Sequence, residues 1–333
     1  MTSTPTPTGR TTDSTTGSTT GSTTGSTTGT QHSSGDPRND DVLVWVDGEL
    51  LPRARAVVSV FDSGFVLGDG VWEGLRVSGG HPVFLEQHLD RLEEGARALL
   101  IDLPTREQLT EAVYATLRAN DMLDGVHVRL MVTRGVKSTP YQDPRVTVGP
   151  ATVVAIAEHK EPLPATVTEG ITLFTTHVRR AHPDTLDPRL NAHSKLNDVT
   201  ACIQAYTAGA DEALMLDPDG FVATCNSTHF FLVTRAGEVW TSDGRYCLGG
   251  ITRANVLEVC RRHDLPARER TFSLTDVYNA AEAFVTGTFA GVVPVRTVDG
   301  RTIGTGARGP VVKRLQGLYQ ELVAEDVASR AAR

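Results

Sequence analysis

The sequence predicts an α/β fold of two domains behind a low-complexity tail, on three observations. Residues 11–30 are almost wholly Thr, Ser and Gly in a tandem TTGS unit, with nothing apolar to offset the entropy of ordering them. From Asp41 onward, short apolar runs with strand character alternate with longer stretches of helical period. The segment Glu158–Pro164, with prolines at 162 and 164, interrupts that pattern and separates two halves, each of a size one core can sustain. The expected divisions are a disordered tail (1–40), an N-terminal α/β domain (41–160), a linker (161–168), a C-terminal α/β domain (169–325) and a short tail (326–333).

In chain order, residues 42–46 (VLVWV) before Asp47-Gly48 read as a strand entering a hairpin turn, and residues 57–61 (VVSVF) as a second short strand. Gly68-Asp69-Gly70 opens the apolar run 71–77, and residues 81–85 return as a strand. Leu89, Leu92, Ala96 and Leu99 recur at helical spacing over 88–100. Thr105 with Gln108 three residues later predicts a capping box for a helix over 105–120. Residues 126–133 and 151–157 read as strands. In the second half, strands are expected at 171–175, 212–216, 228–233 and 283–286, with a turn at Asp217-Pro218-Asp219-Gly220. Helices are expected at 195–208, 251–262, 274–280 and 311–323.

Composition excludes several classes of function. The net charge is −8, from 40 acidic and 32 basic residues, and no basic run stands out, so nucleic acid is not an expected partner. No stretch approaches the roughly 18 apolar residues of a membrane span, and no membrane partner is expected. The four cysteines lack C-x-x-C spacing, which argues against a disulfide framework or a metal site and for a reducing cytoplasm.

Four motifs carry the chemistry. They are residues 62–73 (DSGFVLGDGVWE), residues 88–92 (HLDRL), residues 249–253 (GGITR) and residues 286–294 (TGTFAGVVP). Together, and in this order, they resemble the fold-type IV pyridoxal-phosphate enzymes, which include branched-chain and D-amino-acid aminotransferases, R-selective amine transaminases and aminodeoxychorismate lyase. The resemblance covers residues 42–323. It implies the two-domain fold of that family, pyridoxal 5'-phosphate as cofactor, a small-molecule amino donor and a keto acid acceptor as partners, and a homodimer.

The physical chemistry of the motifs agrees with a phosphate cup. A helix starting at Ile251 and Thr252 offers free N–H groups and a partial positive charge to an anion. Gly287 permits close backbone approach, Thr288 adds donors, and Arg91 supplies a permanently charged fork. Arg91 on its own could equally form an ion pair on its helix, with Glu94 as partner.

The remaining site residues follow from the resemblance with departures. The lysine that attaches the cofactor corresponds to Lys195, which lies about one helical turn nearer the next strand than in the family. Either the helix has lost a turn or the attachment point has moved. At the first turn of its helix the dipole would favour the neutral amine. A solvated lysine is the alternative. Thr224 stands where the family places a glutamate beside the pyridine nitrogen. His229 stands where it places an asparagine. His193 and His229 are candidates for acid–base work or for structural hydrogen bonds. Arg129 is placed to meet a substrate carboxylate or to form an outward ion pair, and Arg134 to brace a turn. The implied activity is amino-group transfer or related lyase chemistry. The alternative is a homologue that keeps the fold and the anion seat, works without the cofactor or without catalysis, and binds a phosphorylated or carboxylated metabolite.

Overall fold

The computed structural model describes residues 35–331. The tail expected at 1–40 therefore lies mostly outside the described residues. Its last part contains a 3-10 turn at Pro37–Asn39, and the Asn39 side chain bonds both the N–H and the carbonyl of His159.

The first half forms strands β1 (Leu43–Val46), β2 (Glu49–Pro52), β3 (Gly70–Ser78), β4 (His81–Pro82), β5 (Val126–Thr133) and β6 (Thr152–His159). They make one antiparallel sheet in the order β2-β1-β6-β5-β3-β4. Helix α1 (Ser63–Leu67) precedes β3, and α2 (Leu85–Leu99) and α3 (Arg106–Ala119) follow it. The period-2 pattern of β5 sets the logic of the sheet. Val126, Val128, Leu130 and Val132 are fully buried against Leu89, Leu92 and Val113 of the helices, so His127, Arg129 and Met131 face the other side. Gly95 on α2 allows close approach to β3, because a Cβ there would come within 3.1 Å of Val71. Each fully buried Leu or Val contributes roughly 1.5–3 kcal/mol.

The second half forms α4 (Pro164–Thr168), β7 (Ile171–Thr175), α5 (Pro183–Leu186), α6 (Leu196–Thr207), β8 (Glu212–Leu216), β9 (Val222–Cys225), β10 (His229–Val233), β11 (Val239–Thr241), α7 (Ile251–Arg262), β12 (Ala267–Glu269), α8 (Leu274–Tyr278), β13 (Glu282–Gly287), β14 (Gly291–Val298), β15 (Arg301–Thr302) and α9 (Pro310–Ala331). Its nine-stranded sheet runs β12-β11-β10-β13-β14-β7-β8-β9, with β15 on β14. The central strands are covered on both faces. On β10, Phe230 belongs to one core with Leu214 and Val285, while Phe231 stacks on Phe284 at 4.8 Å in the core beneath α7 and α9.

Four expectations need correction. Residues 57–61 are not a strand; Val57 and Val60 are 73% and 66% exposed, and the partner of β1 is β2. The run 81–85 pairs only at His81–Pro82, because α2 already begins at Leu85. The linker contains α4, since Pro164 occupies a first-turn position where its missing N–H is harmless. The C-terminal tail is helix as far as Ala331, tied back by Asp326, which accepts from the Phe84 N–H and pairs with Arg330.

The capping box forms as the spacing predicts: the Gln108 N–H donates to the Thr105 hydroxyl, and the Gln108 side chain accepts from the Thr105 N–H. Thr105→Ala is expected to lower stability by about 1 kcal/mol in chemical denaturation. An unchanged midpoint would show that the cap does not hold α3.

Candidate active site

A cavity of about 570 Å³ opens between the two sheets. One wall is the outward face of the first sheet, with Trp72 and Gly74 on β3, His127 and Arg129 on β5, and Lys160 just past β6. The opposite wall is made by the start of α6, the 224–229 segment, the start of α7 and residues 286–290.

The cup forms at α7. Gly250 caps this helix without a side-chain bond, so the Ile251 and Thr252 amides lie at the cavity wall without a capping side chain. Only glycine fits at 250, because a Cβ would lie 2.2 Å from the His229 ring. Gly287 and Thr288 line the same space, and Thr286 Oγ1 is buried with no partner among the described residues.

Arg91 reaches the cup from α2. Its partner is Glu73 of β3, not Glu94. Nε donates to Oε1 at 2.8 Å and Nη2 to Oε2 at 2.6 Å, while Nη1 donates to the Gly249 carbonyl. His88, one turn earlier, donates its Nδ1–H to Glu73 Oε2 at 2.6 Å. Glu73 is completely buried; burial alone would raise its pKa, but Arg91 and His88 outweigh that and hold it below the ordinary carboxylate value.

Lys195 lines the cavity with its Nζ 5.7 Å from the Trp72 ring centroid. Burial lowers its pKa; Asp198 opposes the shift, and Arg180, Arg91 and Arg129 reinforce it. Lys195 is the cap of α6 rather than a residue of its first turn. Residues 191–193 run along β3 instead: Trp72 N–H donates to the Asn191 carbonyl, and His193 N–H to the Gly70 carbonyl. The segment therefore meets the cavity twice, at Asn191 and at Lys195, and the two are not related by a helical turn. The Asn191 amide donates to the Trp72 carbonyl and lies 3.4 Å from Glu73.

The two histidines lie in different surroundings. His193 is not among the residues lining the cavity; its Nε2 donates to the Val71 carbonyl at 3.1 Å and its ring packs against Gly64 and Gly70. His229 lines the cavity, but burial and the nearby Arg253 and Arg91 push its pKa to about 3. Its ring lies against Gly250 at the start of α7. Thr224 is buried beside it and donates its hydroxyl proton to the Thr228 carbonyl. Arg129 faces the cavity with its guanidinium 3.9 Å over the Trp72 ring. Arg134 pairs with Asp69 and donates to the Leu99 and Leu100 carbonyls, closing the turn after β5. The motifs assign no role to Glu73, Trp72, Lys160 or Arg180. Glu73 and Trp72 have a signal in their place inside the 62–73 motif; Lys160 and Arg180 come from segments without one.

Residues 70–298 match the family described as Amino-transferase class IV. The chain belongs to this family. Curated relatives include branched-chain-amino-acid aminotransferase-like protein 2 of Arabidopsis thaliana, 43% identical over 86% of this chain and 51% of the relative. The chain thus spans about half the length of the Arabidopsis relatives. A putative branched-chain-amino-acid aminotransferase of Methanocaldococcus jannaschii is 38% identical over 84% of this chain and 96% of its own. A solved T.th. branched-chain amino acid aminotransferase with pyridoxamine 5'-phosphate superposes with a TM-score of 0.80 at 29% identity, covering 86% of this chain and 95% of that one. The fold is thus the fold-type IV fold expected from the motifs.

Within the family frame, the phosphate end of this cavity fits the cofactor: free helix amides, a charged fork held in place and an unpartnered hydroxyl converge there among the described residues. Elsewhere in the cavity, Thr224 offers oxygen lone pairs but no carboxylate. Glu73→Ala is expected to cost about 3–5 kcal/mol, because it strands Arg91 without its buried partner. Since the Glu73 pKa is depressed on folding, its contribution is present above the unfolded value and fades as pH falls through the folded one. Urea denaturation at neutral and acid pH measures both; a variant as stable as the parent at neutral pH contradicts this reading.

Proposed function

We propose that the protein is a pyridoxal 5'-phosphate-dependent aminotransferase that passes an amino group between a small-molecule amino donor and a keto acid acceptor. The observation that carries this reading is the meeting of an anion seat and a half-buried amine in one cavity. Bound there, pyridoxal phosphate supplies an aldehyde that condenses with amines and a ring that draws electrons from the bond to be broken.

The chain's own groups do the rest. Arg91, the Ile251 and Thr252 amides and Thr288 hold the phosphate, and Gly287 lets the backbone come close. Thr224 is assigned to the ring-nitrogen end, where a neutral hydroxyl that already donates its proton to the Thr228 carbonyl would supply no negative charge to hold a proton on that nitrogen. Lys195 Nζ attaches the cofactor and, as a free amine, takes the proton from the donor's α-carbon. Desolvation favours that neutral form. Because the base must be unprotonated, the rate is expected to rise with pH up to the lowered lysine pKa and then level off. Arg129 meets the substrate carboxylate.

Borohydride reduction in the presence of pyridoxal phosphate should fix a label on the peptide containing Lys195, and Lys195→Ala should take none. A label elsewhere in the parent protein would remove Lys195 from this role. Saturable phosphate-ligand binding with no label would favour the cofactor-independent homologue instead.

The assembly we propose is a homodimer in a reducing cytoplasm. Leu196, Val199, Ile203 and Tyr206 form one exposed apolar stripe on α6, and Val57, Val60, Phe61 and Phe65 are exposed on the segment before β3. The cysteines are free, and among the described residues no helix is long and apolar enough to cross a membrane. Val199→Glu with Ile203→Glu should convert the species seen by sedimentation from dimer to monomer. A parent protein that sediments as a monomer at micromolar concentration would exclude the dimer.

A further inference from the structure

The outer edge of β3 is closed partly by a segment from the other half of the molecule. β4 pairs with Val77 and Ser78 at one end of the strand. Residues 191–193 run along the other end, where Trp72 N–H donates to the Asn191 carbonyl, Ala192 bridges Val71 and His193 N–H donates to the Gly70 carbonyl. Asn191 then uses its side chain where a strand would use a backbone N–H. Its Nδ2 donates to the Trp72 carbonyl and lies 3.4 Å from Glu73 Oε1. Both neighbours are acceptors, and Glu73 is a carboxylate already shared by Arg91 and His88. Turning the amide over would set its oxygen against theirs, so its orientation is fixed.

The oxygen of that amide is unused. Asn191 is only 5% exposed and lines the cavity, yet its Oδ1 accepts no hydrogen bond among the described residues. A buried acceptor left bare is costly, and this one is held rigidly by its own nitrogen. Its neighbours narrow what it can receive. Arg91 Nε donates to the same Glu73 oxygen at 2.8 Å, and Arg91 Nη1 reaches the Gly249 carbonyl before α7, so the amide stands one carboxylate away from the anion seat. Lys195 Nζ lies 5.7 Å from the ring centroid of Trp72, the residue whose backbone Asn191 bonds.

A phosphate or carboxylate carries only acceptors when ionised and has nothing to give Asn191 Oδ1. A carbonyl oxygen would meet it lone pair to lone pair, whereas an amino group would supply the missing hydrogen. Resting on the aminotransferase reading, we infer that Asn191 is a ligand-contacting residue whose Oδ1 accepts a hydrogen bond from the amino group being transferred, so that the cavity holds the aminated form of its ligand more tightly than a form with no donor at that position. Asn191 thereby sets which side of the amino-transfer equilibrium the site favours, independently of any attachment to Lys195.

The test is equilibrium binding to the full-length protein, followed by tryptophan fluorescence and calorimetry, which reads the site without turnover. The probes are pyridoxamine 5'-phosphate and 4'-deoxypyridoxine 5'-phosphate, which differ only in the replacement of the amino group by hydrogen and neither of which can attach to a lysine. The parent should bind the aminated probe about tenfold more tightly, the factor that one net hydrogen bond supplies. Asn191→Leu, which keeps the volume and removes the acceptor, should bring the ratio close to one. Asn191→Asp, which loses the amide hydrogens but keeps an acceptor, should retain the preference. Both variants lose the bond to the Trp72 carbonyl, so a role confined to closing the strand edge would move them together. Thermal melts establish that each is folded; if Asn191→Leu is not, the parent ratio and Asn191→Asp still decide. Equal binding of the two probes by the parent overturns the inference, as does an undiminished preference in folded Asn191→Leu or a lost one in folded Asn191→Asp. Failure of the parent to bind either probe overturns the cofactor reading and the inference with it, whereas tight but equal binding of both overturns the Asn191 assignment alone.

Discussion

The carboxylate of Glu73 is the constraint on which the cavity depends. It is wholly buried and shared by three groups from two parts of the chain: Arg91 and His88 of α2, and the amide of Asn191 ahead of α6. Through Arg91 it reaches the Gly249 carbonyl, at the approach to α7. One anion on β3 thus links the first sheet to two segments of the second half, those that lead into α6 and α7. A buried ion pair of this kind is weak evidence for net stability, because desolvation offsets much of the attraction. Its value here is positional: it holds a guanidinium at the mouth of a helix whose amides are free.

The cavity is electrically graded as a result. At α7, positive charge comes from a helix terminus and from an arginine whose charge is already matched by Glu73, so an anion there completes a set of hydrogen bonds more than it cancels a net charge. On the opposite wall the cations lack such partners among the described residues. Lys195, half-buried in the same cavity, has its pKa lowered by burial, with Arg180, Arg91 and Arg129 also disfavouring protonation and Asp198 favouring it. The arginines around the cavity therefore help keep the amine neutral. His229, in contact with the arginine-rich side, has its pKa driven down to about 3 and works as a spacer under Gly250.

Much of this is legible in the sequence wherever local pattern and local structure coincide. The alternation in 126–133 fixes the bounds and faces of β5, the Thr105–Gln108 spacing yields a real capping box, and Gly-Gly before Ile251 marks the start of α7. Local pattern misleads where tertiary context decides. Residues 57–61 have strand composition, yet they are exposed and pair with nothing in the sheet. Residues 191–195 precede a helical pattern and invite counting against that helix, although 191–193 run along β3. Lys160 carries no signal because it closes an ordinary strand near the expected linker, and only the packing of the two halves brings it beside Phe289. Glu73 is visible as part of a motif, but its function depends on Arg91, which lies on a facing helix far enough along the chain that no local pattern pairs the two.

The most direct measurement is a crystal structure of the full chain with pyridoxal phosphate bound. The phosphate should lie within hydrogen-bond distance of the Ile251 and Thr252 amides and of Arg91, with the Arg91–Glu73 fork intact and the aldehyde carbon at Lys195. A phosphate seated elsewhere, or an Arg91 that must leave Glu73 to reach it, would contradict the account.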